Sequence, residues 1–458
     1  MAFIFYDVET TGLEPAFDQI VQFAAMVTDD QFDIQEELNL RCRLRPHVIA
    51  SPGAMRVTGV GPKAIQSAPL SAYEMACQIR RFIERHGPAI LVGFNSISFD
   101  ESMLRQMFFQ ALHPTYLTNT NGNTRMDVMK LAHAAASHKP EAINVPVNEN
   151  GKPSFKLSHL IAANGLSLDN AHDAMADAKA TLDLARLLRA RAPDIWDDLF
   201  ACRSRHTVEL LLKEHPVFLF TDRAYKKPTI LAGTIVTHPK NPAAVAVFDL
   251  EYDPGIYLEA NQEGVQRLLK ASPRPIRVMR TNNLPIITPY RGQEVGIDPG
   301  VAEQRLNRMR QHPSFAATIA AAMVAQDEEF EAPVHVEQTI YGGFPSRADS
   351  NLMEAFHKTP WHGRYEIAQS FSDNRYQEFA ERLIYAEAPD GLPRERRTAL
   401  DSWHRERHLT EGDVPWLTIE KAREELAEIK AQIVVDEAGL VAEIEEYLGE
   451  LENRRQKI

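Results

Sequence analysis

Cysteine is scarce in this 458-residue chain: Cys42, Cys77 and Cys202 are its only three. They are odd in number and scattered. No pair has the spacing of a zinc site or a redox motif. That excludes a disulfide scaffold and predicts reduced thiols in a cytoplasmic protein. Long apolar runs are also missing. The longest, about 315–325, falls short of the roughly 20 residues a membrane span needs, so no membrane partner is expected. The opening MAFIFYDVET carries no basic leader, and no secretory signal is expected. Repeats and low-complexity tracts are absent, and Gly (22) and Pro (28) are at ordinary levels. Wholesale disorder and collagen-like structure are thereby excluded. Positive charge is in deficit, with 50 Lys+Arg against 63 Asp+Glu and a net charge of −13. The deficit is uneven. Residues 1–200 hold 18 basic and 23 acidic side chains, 201–310 hold 16 and 11, and 311–458 hold 16 and 29. A basic middle between acidic ends leaves nucleic acid open as a partner, because phosphate affinity follows local clusters.

What is present reads as three segments. In 1–192, strands and helices alternate: FIFYDVE (3–9), a second strand at 20–29, a third at 37–45 and the short apolar AILVGFN (89–95). Helices are expected at 72–86, from about 100, at 126–136, at 157–164 and at 173–192, the first with Met75, Ile79 and Ile83 at spacing four. This pattern predicts an α/β domain with a mixed sheet and helices on both faces. Segment 193–334 is rich in β-branched and aromatic runs (VFLFT, TILAGTIVT, AVAVFDL), which predicts a small β-barrel with one or two helices. Segment 335–458 reads as a helical bundle with a solvated acidic face.

Asp7 and Glu9 stand two apart on a strand, so both side chains point to one face. Two carboxylates forced together raise each other's pKa unless a cation sits between them, and converging hard oxygens suit Mg²⁺ or Mn²⁺. Gly12 allows a sharp turn after the strand, and Thr10 and Thr11 offer donors beside the acids. GFNSISFD (93–100) ends a second buried strand and puts Asp100 at a helix start. NAHDAMAD (170–177) places His172 just before a helix and Asp177 five residues on. Each feature alone is commonplace: surface acids, a helix cap, a helix-start histidine.

Together, in the order Asp-x-Glu, Asp, His-x4-Asp, they resemble the DEDDh exonucleases of the DnaQ-like superfamily, whose core is RNase H-like. The resemblance covers 1–192. It implies that Asp7, Glu9, Asp100 and Asp177 hold two Mg²⁺ ions, Asp100 partly through water, and that His172 is the general base. Two metals about 4 Å apart can position a hydroxide and stabilise a leaving oxygen. A histidine titrating near pH 6.5 can remove the proton.

GKPSFKLSHLIAANGL, NAHDAMADAKAT and the distant VEQTIYGGF resemble the bacterial exonuclease I family along nearly the whole chain. That resemblance implies an exonuclease domain (1–192), an SH3-like accessory barrel (193–334) and a C-terminal helical domain (335–458). The implied activity is 3′→5′ degradation of single-stranded DNA to mononucleotides, in DNA repair and recombination. The implied protein partner is the acidic C-terminal tip of single-strand DNA-binding protein. Candidate substrate contacts are Glu9, Thr10, Thr11, Phe99, Arg105, Lys130, Phe155 and Lys156. Family members usually carry arginine where Lys156 stands, and lysine keeps the charge without the bidentate fork. Arg223, Lys226, Lys227, Arg274, Arg277 and Arg280 are candidates for tracking phosphates along a groove. Alternatives left open by the sequence are an RNA or proofreading exonuclease of the same superfamily, and a non-catalytic single-strand-binding scaffold.

Overall fold

Strand β1 (Ala2–Thr10) is apolar at Phe3, Ile4, Phe5, Tyr6 and Val8, all of them buried. It pairs antiparallel with β2 (Ile20–Thr28) and parallel with β4 (Ala89–Gly93). The strand β3 (Ile34–Arg41) adds antiparallel to β2, giving the order β3-β2-β1-β4 and the expected mixed sheet. β2 and β4 are buried along their whole length, which is why both are apolar throughout or nearly so. On one face Ile4, Tyr6 and Val8 pack with Ile79, Phe82 and Ile83 of the helix Ala72–His86 and with Leu104 and Phe108 of the helix Asp100–Gln110. Each such burial contributes about 1.5–3 kcal/mol. On the other face Phe3 and Phe5 meet the edge of Phe32 at 5.0 and 5.2 Å. Asp7 and Glu9 continue along that second face.

The computed structural model describes residues 1–458 apart from 169–171, 226, 293–295, 328–332, 433–436 and 457–458. Its packing falls into two compact units. One is Met1–Asn123 with Leu168–Lys179 and Pro333–Ile458; the other is Thr124–Ser167 with Ala180–Ala332. The first grouping arises because the C-terminal helices share apolar cores with the N-terminal segment. Tyr73, Phe109 and Leu112 cluster with Phe356, Phe379 and Ile384. Ile49, Met55 and Ile65 cluster with Ile419, Leu426, Ile444 and Leu448.

The acidic face of those helices is not wholly solvated as expected. The Glu425 carboxylate accepts from Ser51 Oγ (2.8 Å) and Gly53 N (2.9 Å), and Glu443 accepts from Lys63 N (2.6 Å). Gly53 and Lys63 lie in the first turns of the short helices Pro52–Thr58 and Pro62–Gln66. First-turn N–H groups have no partner within their own helix, so distant glutamates complete these ends.

In the second unit β5 (Thr124–Asp127) leads into the helix Val128–His138, capped by Asp127 Oδ1 on the N–H of Met129 (3.0 Å). Residues 126–127, expected to open that helix, therefore end a strand, and the Asp127 cap fixes the boundary. The strands β6 (Val217–Thr221), β7 (Thr229–Thr237), β8 (Ala244–Asp249), β9 (Ile276–Arg280) and β10 (Ile286–Pro289) form an antiparallel sheet in the order β10-β6-β7-β8-β9. Among the described residues no ladder joins β9 to β10, so the expected closure into a barrel is not observed. Helices cover the sheet instead: Val265, Leu306, Phe315 and Ile319 pack with Leu219, Leu231, Ala246 and Phe248. No helix among the described residues is long and apolar enough to cross a membrane.

Candidate active site

Asp7, Glu9 and Asp177 each bring one carboxylate oxygen within 4.8 Å of the others. The first two leave the end of β1 on one face; the third sits in the first turn of the helix Ala174–Arg191. Asp100, only 5% exposed, opens the helix after β4 and exerts the strongest charge effect on Asp7. Gly93 makes its approach feasible. A Cβ there would lie 2.5 Å from Ser96 Cβ and 3.1 Å from the Tyr6 carbonyl oxygen, so only glycine lets this turn fold back beside β1.

Gly12 lies in the bend after β1, as expected of it, and also meets a second need. It is not among the residues of positive φ; a Cβ there would strike the Asp18 carboxylate at 2.5 Å. Asp18 in turn accepts from Thr11 Oγ1 (2.7 Å) and Glu14 N (2.9 Å). Thr10 Oγ1 donates to the Gly12 carbonyl at 2.8 Å. Both threonine hydroxyls are thus engaged in holding the loop after β1.

The electrostatics of the acids are unusual. Burial, followed by the charges of Asp100, Asp177 and Glu9, pushes the Asp7 carboxyl well above the usual range. Burial, with Asp177, Asp173 and Asp100, pushes Glu9 up to about 8, against a weaker pull from Arg41. Asp177 is raised by burial, with His172 opposing. Crowded acids of this kind favour protonation unless a cation joins them.

His172 is exposed and has φ 69°, in the left-handed region uncommon for a residue with a side chain. Its backbone N–H and its ring charge both act on Asp177. The segment 169–171 before it lies outside the described residues. Asp173, which the sequence reading passed over, caps the helix on the N–H of Met175 (3.1 Å). It also accepts from Arg41 (2.7 Å) and Gln22 (3.1 Å), tying the helix start to β3 and β2. An Asp just before a helical run was a legible cap signal; its sheet partners were not.

The remaining candidates divide. Phe99 is half-buried against the sheet core. Arg105 holds the buried Glu101 (Nε–Oε1 3.0 Å) and lies 5.0 Å over the Tyr116 ring. In the second unit, Lys130 Nζ donates to the carbonyls of Asn283 and Leu284. Phe155 lies between His133 (4.4 Å) and Arg223 (4.5 Å), while Lys156 is exposed. Several of the expected phosphate-tracking cations have internal partners. Arg277 is buried and donates to the Lys227 carbonyl, and Lys227 Nζ pairs with Asp249 (3.1 Å) and Glu251 (2.7 Å). Arg274 donates to the Ala271 carbonyl at 3.1 Å, and Arg280 is exposed. Lys226 lies outside the described residues.

Residues 4–185 match the exonuclease family and 334–451 the exonuclease I C-terminal domain. Exodeoxyribonuclease I of Escherichia coli strain K12 is 29% identical over 398 residues, spanning 82% of this chain and 83% of that protein. The Haemophilus influenzae exodeoxyribonuclease I is 29% identical over 407 residues, spanning 82% and 84%. Among solved structures, E. coli exonuclease I in complex with a dA16 oligonucleotide superposes with a TM-score of 0.88 at 26% identity, covering 98% of this chain and 99% of that one. A moderately thermophilic exonuclease I from Methylocaldum szegediense gives 0.87 at 25%, with the same coverage. The chain thus carries an exonuclease domain followed by an exonuclease I C-terminal domain, and it is similar along most of its length to exodeoxyribonuclease I.

Proposed function

We propose that this protein is a divalent-metal-dependent 3′→5′ exonuclease that hydrolyses single-stranded DNA to 5′-mononucleotides. The observation that carries the reading is the convergence of Asp7, Glu9 and Asp177 within 4.8 Å, with His172 acting on Asp177, in a chain bearing an exonuclease domain and an exonuclease I C-terminal domain. The donor set fits the metal the family implies: its members are carboxylate oxygens, hard ligands suited to Mg²⁺, with Mn²⁺ as a substitute. Asp7, Glu9 and Asp177 would hold the metal directly, two ions by family resemblance, and Asp100 would complete the site. Bound Mg²⁺ would supply positive charge to the scissile phosphate.

The chain's own residues do the rest. His172 accepts a proton from the attacking water at a ring nitrogen; its exposure leaves that ring reachable. Asp177 holds the His172 backbone and opposes the charge that forms on the ring. The chain at Thr10 and Thr11, stiffened by Asp18, seats the terminal nucleotide beside Glu9. Lys156 contacts phosphate, and Phe99 and Phe155 stack on bases. Arg105 and Lys130 would reach the strand only by releasing their present partners. We further propose the division into an exonuclease domain (1–192), an SH3-like accessory domain (193–334) and a helical domain (335–458). Work in cytoplasmic DNA repair and recombination, with single-strand DNA-binding protein as partner, follows from the same family reading. The E. coli relative solved with an oligonucleotide supports single-stranded DNA as substrate.

The test is a panel of end-labelled single-stranded DNA, duplex DNA and RNA with Mg²⁺ or EDTA, read by product length. Mononucleotides from single-stranded DNA, lost in EDTA, are expected. Preference for RNA or duplex, or no mononucleotides in either condition, would overturn the reading.

A further inference from the structure

The carboxylates are not the only convergent ligand set among the described residues. Cys77, His113 and His357 each offer one ligand atom, all within 4.8 Å of one another. Cys77 lies on the helix Ala72–His86, His113 just beyond the helix Asp100–Gln110, and His357 on the helix Arg347–Lys358. All three belong to the same compact unit. We propose that these three side chains form a second metal site, for one Zn²⁺-like ion, chemically distinct from the Mg²⁺ site.

The donors decide the metal. One sulfur and two imidazole nitrogens select Zn²⁺ or a similar borderline ion and are poor partners for Mg²⁺. Cys77 Sγ and His113 Nε2 are already 3.4 Å apart. With Zn–S near 2.3 Å and Zn–N about 2.0–2.1 Å, tetrahedral ligands stand roughly 3.3–3.6 Å from each other. That edge of the site is therefore preformed. The two imidazoles stack with centroids at 4.1 Å, and loading requires them to splay by about 1 Å to reach tetrahedral angles.

Hydrogen bonding sets the tautomers. His357 Nε2 faces the Leu112 carbonyl at 2.9 Å, so it carries the proton and leaves the Nδ1 lone pair toward the cluster. A ligating histidine held through its other nitrogen by a backbone carbonyl is the usual outer-shell arrangement. Tyr73 OH, 2.8 Å from that Nδ1, occupies the approach and turns aside or joins as a fourth ligand. Arg80 donates to His113 Nδ1 at 3.2 Å, which places the His113 proton on Nε2. On loading, that proton moves to Nδ1 and the thiol proton passes to solvent. Arg80 can let go, since it keeps Glu84 at 2.8 Å and Glu354 at 2.6 Å. Arg364, on Tyr73 OH at 2.8 Å, is the other nearby cation. A bound ion would clasp the N-terminal segment to the C-terminal helices.

The test titrates Co²⁺, as a spectroscopic stand-in for Zn²⁺, into the full chain with excess Mg²⁺. Expected is one equivalent bound with a sulfur-to-cobalt charge-transfer band in the near ultraviolet. Cys77→Ser should lose both the band and that equivalent while keeping Mg²⁺-dependent DNA digestion. His357→Gln, a second variant in case the first misfolds, should weaken the binding by more than about 100-fold. No band in the wild-type chain, or an unchanged band in Cys77→Ser, overturns the site.

Discussion

Two groups of acid in the same compact unit behave in opposite ways. Around β1, Asp7, Glu9 and Asp177 are pushed above the carboxylate range by burial and by each other. Near the C-terminal helices Glu337 is more deeply buried than they are, at 2% exposure, yet lies below its usual value. Burial pushes it up too, but Arg382 (2.9 Å) and Arg407 outweigh that. Gln106 adds a bond to the Glu337 carbonyl, joining it to the helix Asp100–Gln110. Glu337 carries its counter-charge within the fold. On the β1 acids the counter-pulls, Arg41 on Glu9 and His172 on Asp177, are outweighed by burial and like charge. A buried carboxylate with its own arginines is a structural ion cluster; carboxylates raised by burial and by each other are the ones a bound cation would stabilise most.

The contrast can be broken by function first. His172→Ala should lower Mg²⁺-dependent digestion by about 10²–10⁴-fold, the usual range for a general base, and Asp7→Ala by at least as much. Circular dichroism should show both folded. Near-normal turnover in either would remove the β1 acids from the chemistry.

Neutralisation should then have opposite signs in the two places. Glu337→Gln leaves Arg382 and Arg407 buried without their carboxylate and should destabilise by about 3–5 kcal/mol in urea unfolding. Asp7→Asn should instead raise the melting temperature of the metal-free protein, because it removes a like charge from a crowded site. Equal signs would dissolve the distinction.

The pH dependence follows. Glu9 in the fold titrates near 8, above an unfolded carboxyl of about 4.3. The folded state binds more protons between those values, so this contribution to stability is full below about pH 4.3. It is lost as pH rises through 8. Melting in EDTA should therefore fall from pH 5 to 9, and Mg²⁺ should flatten the slope. Glu337 works in reverse, stabilising above its unfolded value and losing that contribution as pH falls through its lowered one.

The smallest effect is expected from Arg41→Ala. The Arg41–Asp173 pair is half-exposed, 40% and 32%, and should be worth no more than about 1 kcal/mol. A much larger loss would mean that Arg41 compensates the β1 acids as the arginines do Glu337.

The sequence made one of these two regions visible. Asp7 and Glu9 were legible because strand alternation alone puts them on one face, and His172 with Asp177 because a helix start fixes their spacing. The helix Ala72–His86 was legible through its apolar spacing and is opened by the Ser71–Glu74 capping box. The Glu337 cluster was not, although VEQTIYGGF stood out, because nothing local marks Arg382 and Arg407 as its partners. Cys77 was dismissed on sequence spacing, whereas its neighbours His113 and His357 come from distant stretches of the chain. The open sheet of β6–β10 was expected to close, since strand runs carry no signal of where a ladder ends and helices take over. The glutamates on the last helices read as solvated, although Glu425 and Glu443 complete other helices' first turns.

Calorimetry of Mg²⁺ binding near pH 7, in buffers of differing ionisation enthalpy, bears most directly on the claim that the β1 carboxylates await a cation. Protons held on those raised acids must leave as Mg²⁺ arrives. The wild-type chain should bind Mg²⁺ with net proton release, and Asp7→Asn should lose most of both. Binding without proton release, or equal binding by Asp7→Asn, would contradict the account.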